Sequence, residues 1–193
     1  MDAERNIRAF LAIEPPEEVL AAVARLQEKL KREISGAISW TRPQSNHLTL
    51  KFFGNIDRSA AENICAAVKK QAAATPSLLL KVERMGVFPD LRKPRVLWVG
   101  TAGDSGKLTL LQNNLEADFE KLGFPRENRP FRAHLTLGRI KDSRAAASIG
   151  EALKKHSEFR AGEFRATELI LFQSNLTPQG AIYTKLAAMP LTG

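Results

Sequence analysis

The sequence predicts an α+β fold of two pseudo-symmetric lobes, each an antiparallel β-sheet with outer helices, enclosing a central cleft. Three observations carry this expectation. The tetrapeptide His-Leu-Thr-Leu occurs twice, at residues 47–50 and 134–137, although the chain holds only three histidines. At ordinary composition a given His is followed by Leu-Thr-Leu roughly once in two thousand cases, so the pair is not coincidence. Landmarks of one half also recur in the other. Ile7 matches Arg95, Pro15 Ser105, His47 His134, Asp57 Asp142 and Leu78 Phe164, shifts of 88, 90, 87, 85 and 86 residues. Duplication of one α+β unit leaves such a trace. Finally, short apolar runs alternate with stretches of helical period. The 193 residues, 44% of them hydrophobic, suffice for a single domain, 1–193, made of two units of roughly 1–90 and 91–193 whose strands are free to intertwine.

In chain order, Ile7 to Ile13 is a short apolar strand. Pro15, Pro16, Glu17 and Glu18 open a helix, with prolines and acids in its first turn. Val19, Val23, Leu26 and Leu30 form its buried face, and Gly36 ends it. A short strand at Ile38 to Thr41 precedes the first histidine strand, His47 to Phe53, which Gly54 and Asn55 are expected to stop. Asp57 or Ser59 caps a second helix through about Ala73 with Ile64 and Val68 inward. Leu78 to Arg84 is then a strand. In the second half, Arg95 to Gly100 is a strand, and Asp104 or Ser105 caps a helix with Leu108, Leu111, Leu115, Phe119 and Leu122 as its buried stripe. The second histidine strand, Phe131 to Arg139, follows, then a helix near Arg144 to Lys155, and strands at Glu168 to Phe172 and Ala181 to Ala187.

Composition narrows the function. No apolar run approaches a membrane span, and the polar start of the chain lacks a secretory signal, so a cytoplasmic protein with no membrane partner is expected. The one cysteine, Cys65, sits among alanines in a helix and suits a reducing compartment. A net charge of +8, from 29 Lys and Arg against 21 Asp and Glu, attracts polyanions without naming one.

Strand alternation makes the tetrapeptides chemically informative. His47 and Thr49 share one strand face while Leu48 and Leu50 point to the other, and the same holds for His134 and Thr136 against Leu135 and Leu137. Each lobe thus buries two leucines and presents an imidazole beside a hydroxyl. Splitting a phosphodiester needs one group to deprotonate the nucleophile and another to protonate the leaving oxygen. Histidine, with an ordinary pKa of about 6.5, does either. The threonines can hydrogen-bond the non-bridging phosphate oxygens. Neither motif has a carboxylate at i+2 or i+4, so no metal is assigned. The third histidine, His156, follows Lys154 and Lys155 at a helix C-terminus and is read as a dipole-complementing residue.

These residues resemble the 2H phosphoesterase superfamily, and within it the RNA 2',3'-cyclic phosphodiesterases, also called 2'-5' RNA ligase-like or LigT-like proteins. The likeness covers Arg8 to Ile13, Asn46 to Gly54, Arg95 to Gly100, Asn128 to Arg139 and Phe172 to Gly180. It implies hydrolysis of an RNA or nucleotide 2',3'-cyclic phosphate end to a 2'-phosphate, without metal or cofactor; a monomer is expected. It implies His47 as proton donor and His134 as proton acceptor, although near-symmetric motifs leave the inverse assignment open. Thr49, Thr136 and Arg139 are implied as substrate-binding. On a regular strand Arg139 would face away from His134, so a bend near Gly138 is required. The same site could ligate RNA 2'-5', or a vestigial site could leave an RNA-binding module. Ala133 stands where relatives often carry Pro, and Phe53 where Leu is usual. Phe10, Phe52, Trp98 and Phe131 are read as core aromatics with base stacking as the alternative. Arg42, Arg92, Lys93 and Arg95 are candidate backbone contacts.

Overall fold

A computed structural model describes residues 6–178 and 180–193, the side chain of Ser143 excepted. Nine strands and four α-helices follow one another: β1 (Ile7–Ile13), α1 (Glu17–Glu33), β2 (Ile38–Trp40), β3 (Leu48–Ile56), α2 (Arg58–Ala73), β4 (Leu78–Phe88), β5 (Val96–Gly103), α3 (Ser105–Lys121), β6 (His134–Ile140), α4 (Ala146–Lys155), β7 (Arg160–Ala166), β8 (Glu168–Thr177) and β9 (Gly180–Pro190). They build two antiparallel sheets, ordered β3-β1-β8-β9 and β2-β6-β5-β4-β7. Setting β3-β1-β8-β9 against β6-β5-β4-β7 superposes the two motif strands, with β2 as an additional edge. Each sheet takes strands from both halves of the chain: β8 and β9 join the first motif strand, β2 and β4 the second.

Apolar spacing sets the helices, and of the four only α2 is closed by a side-chain N-cap. Val19, Val23, Leu26 and Leu30 of α1 are all buried. Asp57 is the cap that α2 uses, its side chain accepting from the Ala60 N–H at 2.7 Å. Asp104 precedes α3 but turns its carboxylate to the Leu79 N–H instead, at 2.9 Å, tying the helix start to β4. The four motif leucines Leu48, Leu50, Leu135 and Leu137 lie in the main core.

Several expectations shift. The first histidine strand does not stop at Gly54 and Asn55. It runs on to Ile56, with Gly54 at φ 73 beside a register shift against β1, a conformation glycine adopts without strain. Strand β4 likewise continues past Arg84 to Phe88, because Arg84 takes φ 58 at a bulge and pairing resumes at Met85. Leu122 is not on the buried stripe of α3; it caps the helix and is exposed. The helix near Arg144 opens as a 3-10 turn, Ser143–Ala145, before α4.

Candidate active site

Both motif imidazoles are held in one way. His47, just before β3, sets Nδ1 2.9 Å from the Ser45 carbonyl, and His134, the first residue of β6, sets Nδ1 2.7 Å from the Arg132 carbonyl. A carbonyl only accepts, so Nδ1 carries the hydrogen in each ring and Nε2 is left to exchange protons.

Their surroundings are aromatic. His47 meets Phe172, Tyr183 and Phe10 at ring distances of 4.4, 5.3 and 5.8 Å, and these belong to a small apolar cluster separate from the main core. His134 meets Phe88 at 5.0 Å and Trp98 at 6.4 Å. Burial among these rings pushes both imidazoles below the ordinary histidine pKa. The charged neighbours then differ. Register β1–β3 ends at Ile13 opposite Leu48, which brings Glu14 to His47, its Oε1 3.8 Å from Nε2. That carboxylate works against the burial and favours the imidazolium, while Lys185, paired with Glu14, works the other way. His134 has no carboxylate partner among the described residues, and Arg139 adds to its downward shift.

A cleft of about 350 Å³ is walled by His47, Thr49 and Phe52 of the first motif segment and by Thr136 and Arg139 of the second. Trp40, Arg42, Asn46 and Tyr183 complete its sides. His134 does not itself line this cavity. It stands two residues before Thr136 on the same strand face. Arg139 reaches the cleft because β6 bulges: Leu97 pairs with Gly138 but Trp98 with Thr136, leaving Leu137 unopposed. This is the bend that the sequence required. The Leu137 carbonyl at the bulge accepts from Thr41 N–H at 3.0 Å, Thr41 Oγ1 at 3.0 Å and Gln27 Nε2 at 2.8 Å. β3 has the counterpart, with Leu50 and Phe53 unopposed by β1, so Phe52 returns to the face of Thr49.

The remaining candidates divide between the cleft and the rest of the fold. His156 bonds Glu33 at 2.8 Å and ties α4 to α1. Phe10 is buried, Phe131 and Trp98 are partly so, and Phe53 packs on Phe119 and Phe124, which accounts for its size. Phe52 departs from the core expectation, being 60% exposed. Arg92, Lys93 and Arg95 are exposed away from the cleft walls, whereas Arg42 lies in them. Cys65 is half-buried on α2, and burial raises its thiol pKa. Among the described residues no three His, Cys, Asp or Glu side chains are grouped to hold a metal, and no helix is long and apolar enough to cross a membrane. Glu14, Lys185 and Tyr183 are site residues that the motif analysis missed.

Two antiparallel sheets that bring paired His-x-Thr segments together, with Thr49 and Thr136 in one cleft, fit the 2H phosphoesterase class. Comparison with known proteins agrees. The family model described as LigT like Phosphoesterase matches residues 13–98 and again 99–183, one histidine motif in each match. The chain belongs to this LigT-like phosphoesterase family, within the 2H superfamily. It is 32% identical over 186 residues to the RNA 2',3'-cyclic phosphodiesterase of Methanothermobacter thermautotrophicus, covering 96% of this chain and 100% of that one. The Aquifex aeolicus protein of the same name is 30% identical over 188 residues, covering 97% and 98%. Among solved structures, TT0787 of Thermus thermophilus superposes with a TM-score of 0.78 at 27% identity, covering 97% of this chain and 99% of that one.

Proposed function

We propose that the protein hydrolyses 2',3'-cyclic phosphate ends of RNA or nucleotides to 2'-phosphates by two-histidine acid–base catalysis. The single observation that carries this reading is the asymmetry around two identically held rings: a carboxylate faces His47 and a guanidinium neighbours His134. His134 Nε2 takes a proton from water as the water oxygen bonds phosphorus. The bond from phosphorus to the 3'-oxygen breaks, and protonated His47 Nε2 delivers its proton to that leaving oxygen. Thr49 and Thr136 hydroxyls, with the Arg139 guanidinium, stabilise the charge on the non-bridging oxygens. Two imidazoles supply both proton transfers, so the reaction runs without metal or cofactor. The names of relatives 32% and 30% identical over nearly the full chain support the substrate class. The working unit of this reading is a monomer, and the lone cysteine suits the cytoplasm.

The test is turnover of a 2',3'-cyclic nucleotide by purified protein in EDTA, beside His47→Ala and His134→Ala. Each substitution is expected to lower kcat about 100- to 10,000-fold, the usual worth of one acid or base. Full activity in either variant overturns the mechanism. Loss in EDTA overturns metal independence, and tight RNA binding without turnover leaves a binding module.

A further inference from the structure

Phe52 stands in the wall of two cavities. One is the cleft of the histidines, and the other is a neighbouring groove of about 430 Å³ between β3 and the segment from α3 to β6. Both fall in the range of about 300–1,000 Å³ typical of small-ligand sites. The ring is 60% exposed and rests on Phe10, 5.7 Å away. Folding alone gives no reason to expose it, since the β3 bulge turns it out of the core. Pseudo-symmetry sharpens the point. Phe52 lies five residues after His47 and Arg139 five after His134, and a bulge returns each to the cleft. One lobe supplies a guanidinium there and the other a flat apolar face.

The groove beyond Phe52 is lined by Arg126, Asn128 and Arg129, with Glu127 the one carboxylate exposed among them. Arg126 is paired with Glu120 at 2.8 Å, whereas Arg129 has no carboxylate partner among the described residues. This segment has no regular secondary structure, yet it is fastened down. Buried Lys51 donates to the Pro125 carbonyl at 2.6 Å and to Glu116 Oε2 at 3.0 Å, and the same oxygen accepts from Glu127 N–H at 3.1 Å. A pre-ordered cationic wall beside an exposed ring is the combination that single-stranded nucleic acid uses, base on ring and phosphate on cation.

We propose that this groove binds the nucleotide on the 5' side of the cyclic end, with Phe52 as the stacking platform between it and the terminal nucleotide. The proposal rests on the cyclic phosphodiesterase reading above and makes an oligonucleotide the preferred substrate over a free cyclic nucleotide.

The experiment compares kcat/KM for a 2',3'-cyclic mononucleotide and for a short RNA ending in the same nucleotide, in wild type, Phe52→Ala and Arg129→Ala. Wild type is expected to favour the RNA about tenfold or more, the scale of one base–aromatic stack. Both variants should lose most of that preference. Arg129→Ala should leave mononucleotide turnover unchanged and reduce the slope of log kcat/KM against log salt by about 0.7, one phosphate contact to a single strand. Equal turnover of both substrates by wild type, or an intact preference in either variant, overturns the groove while leaving the phosphodiesterase reading in place. Absence of turnover on both substrates overturns that reading and the groove with it.

Discussion

Two imidazoles with the same tautomer and similar aromatic packing would be equivalent were it not for the charges beside them. Glu14 approaches Nε2 of His47, and among the described residues nothing of that sign approaches His134. A neighbouring carboxylate stabilises the protonated ring, which is the form an acid must have before reaction, and a neighbouring guanidinium stabilises the neutral ring that a base must have. Both rings are nonetheless held below the ordinary value by burial. In kcat/KM the acid limb reports the base, His134, and the alkaline limb reports the acid, His47. Both limbs are expected below about 6.5, placing the optimum on the acid side of neutrality. Glu14→Gln should move only the alkaline limb, and to lower pH. Losing the carboxylate removes the influence that raises the His47 pKa and leaves Lys185 to oppose the charged ring. A pH–rate series on this variant checks it; movement of the acid limb instead would show that the roles are reversed.

The motif residues act through the strands that carry them, and here the sequence was informative to a definable depth. Period-two alternation made the division between His47 and Thr49 and their leucines visible, and the buried Leu48, Leu50, Leu135 and Leu137 match it. The bulges were legible only as a requirement on Arg139. Glu14 was invisible, since its place beside His47 depends on the β1–β3 register. Trp98 shows how far such placement reaches. Gly86 pairs with Trp98 across β4 and β5, and a Cβ at Gly86 would come within 2.2 Å of the indole. The glycine makes room for a ring that packs 5.0 Å from Phe88, which in turn packs on His134. Gly86→Ala must therefore displace Trp98. We expect about 1–3 kcal/mol of lost stability in denaturant titration from overpacking, together with a fall in kcat as His134 loses its support. Unchanged kcat in a variant that is destabilised would separate the indole from the catalytic ring.

At the scale of the molecule, the repeat is linear in the sequence but crossed in space. The offsets locate corresponding landmarks in each half, yet they carry no record of which strands pair, because pairing is non-local. The four-stranded sheet holds β1 and β3 from the first half with β8 and β9 from the second, and the five-stranded sheet holds β2 and β4 with β5, β6 and β7. A fragment of residues 1–93 would therefore keep β1 and β3 but lose the neighbour that covers the other edge of β1, and its β2 and β4 would have no sheet at all. Apolar strand edges left in this way cannot satisfy their backbone groups and tend to associate. One large apolar cluster also runs through both halves, from Ala9 to Leu191. We expect neither 1–93 nor 94–193 to show a cooperative thermal transition alone. The intact chain should unfold in one step, with circular dichroism and tryptophan fluorescence giving coincident curves. The two tryptophans make the comparison sensitive, because Trp40 and Trp98 both belong to the five-stranded sheet while circular dichroism reports all nine strands. A fragment that melts cooperatively, or a fluorescence midpoint separated from the dichroism midpoint, would mean that the lobes are stable units despite their exchanged strands.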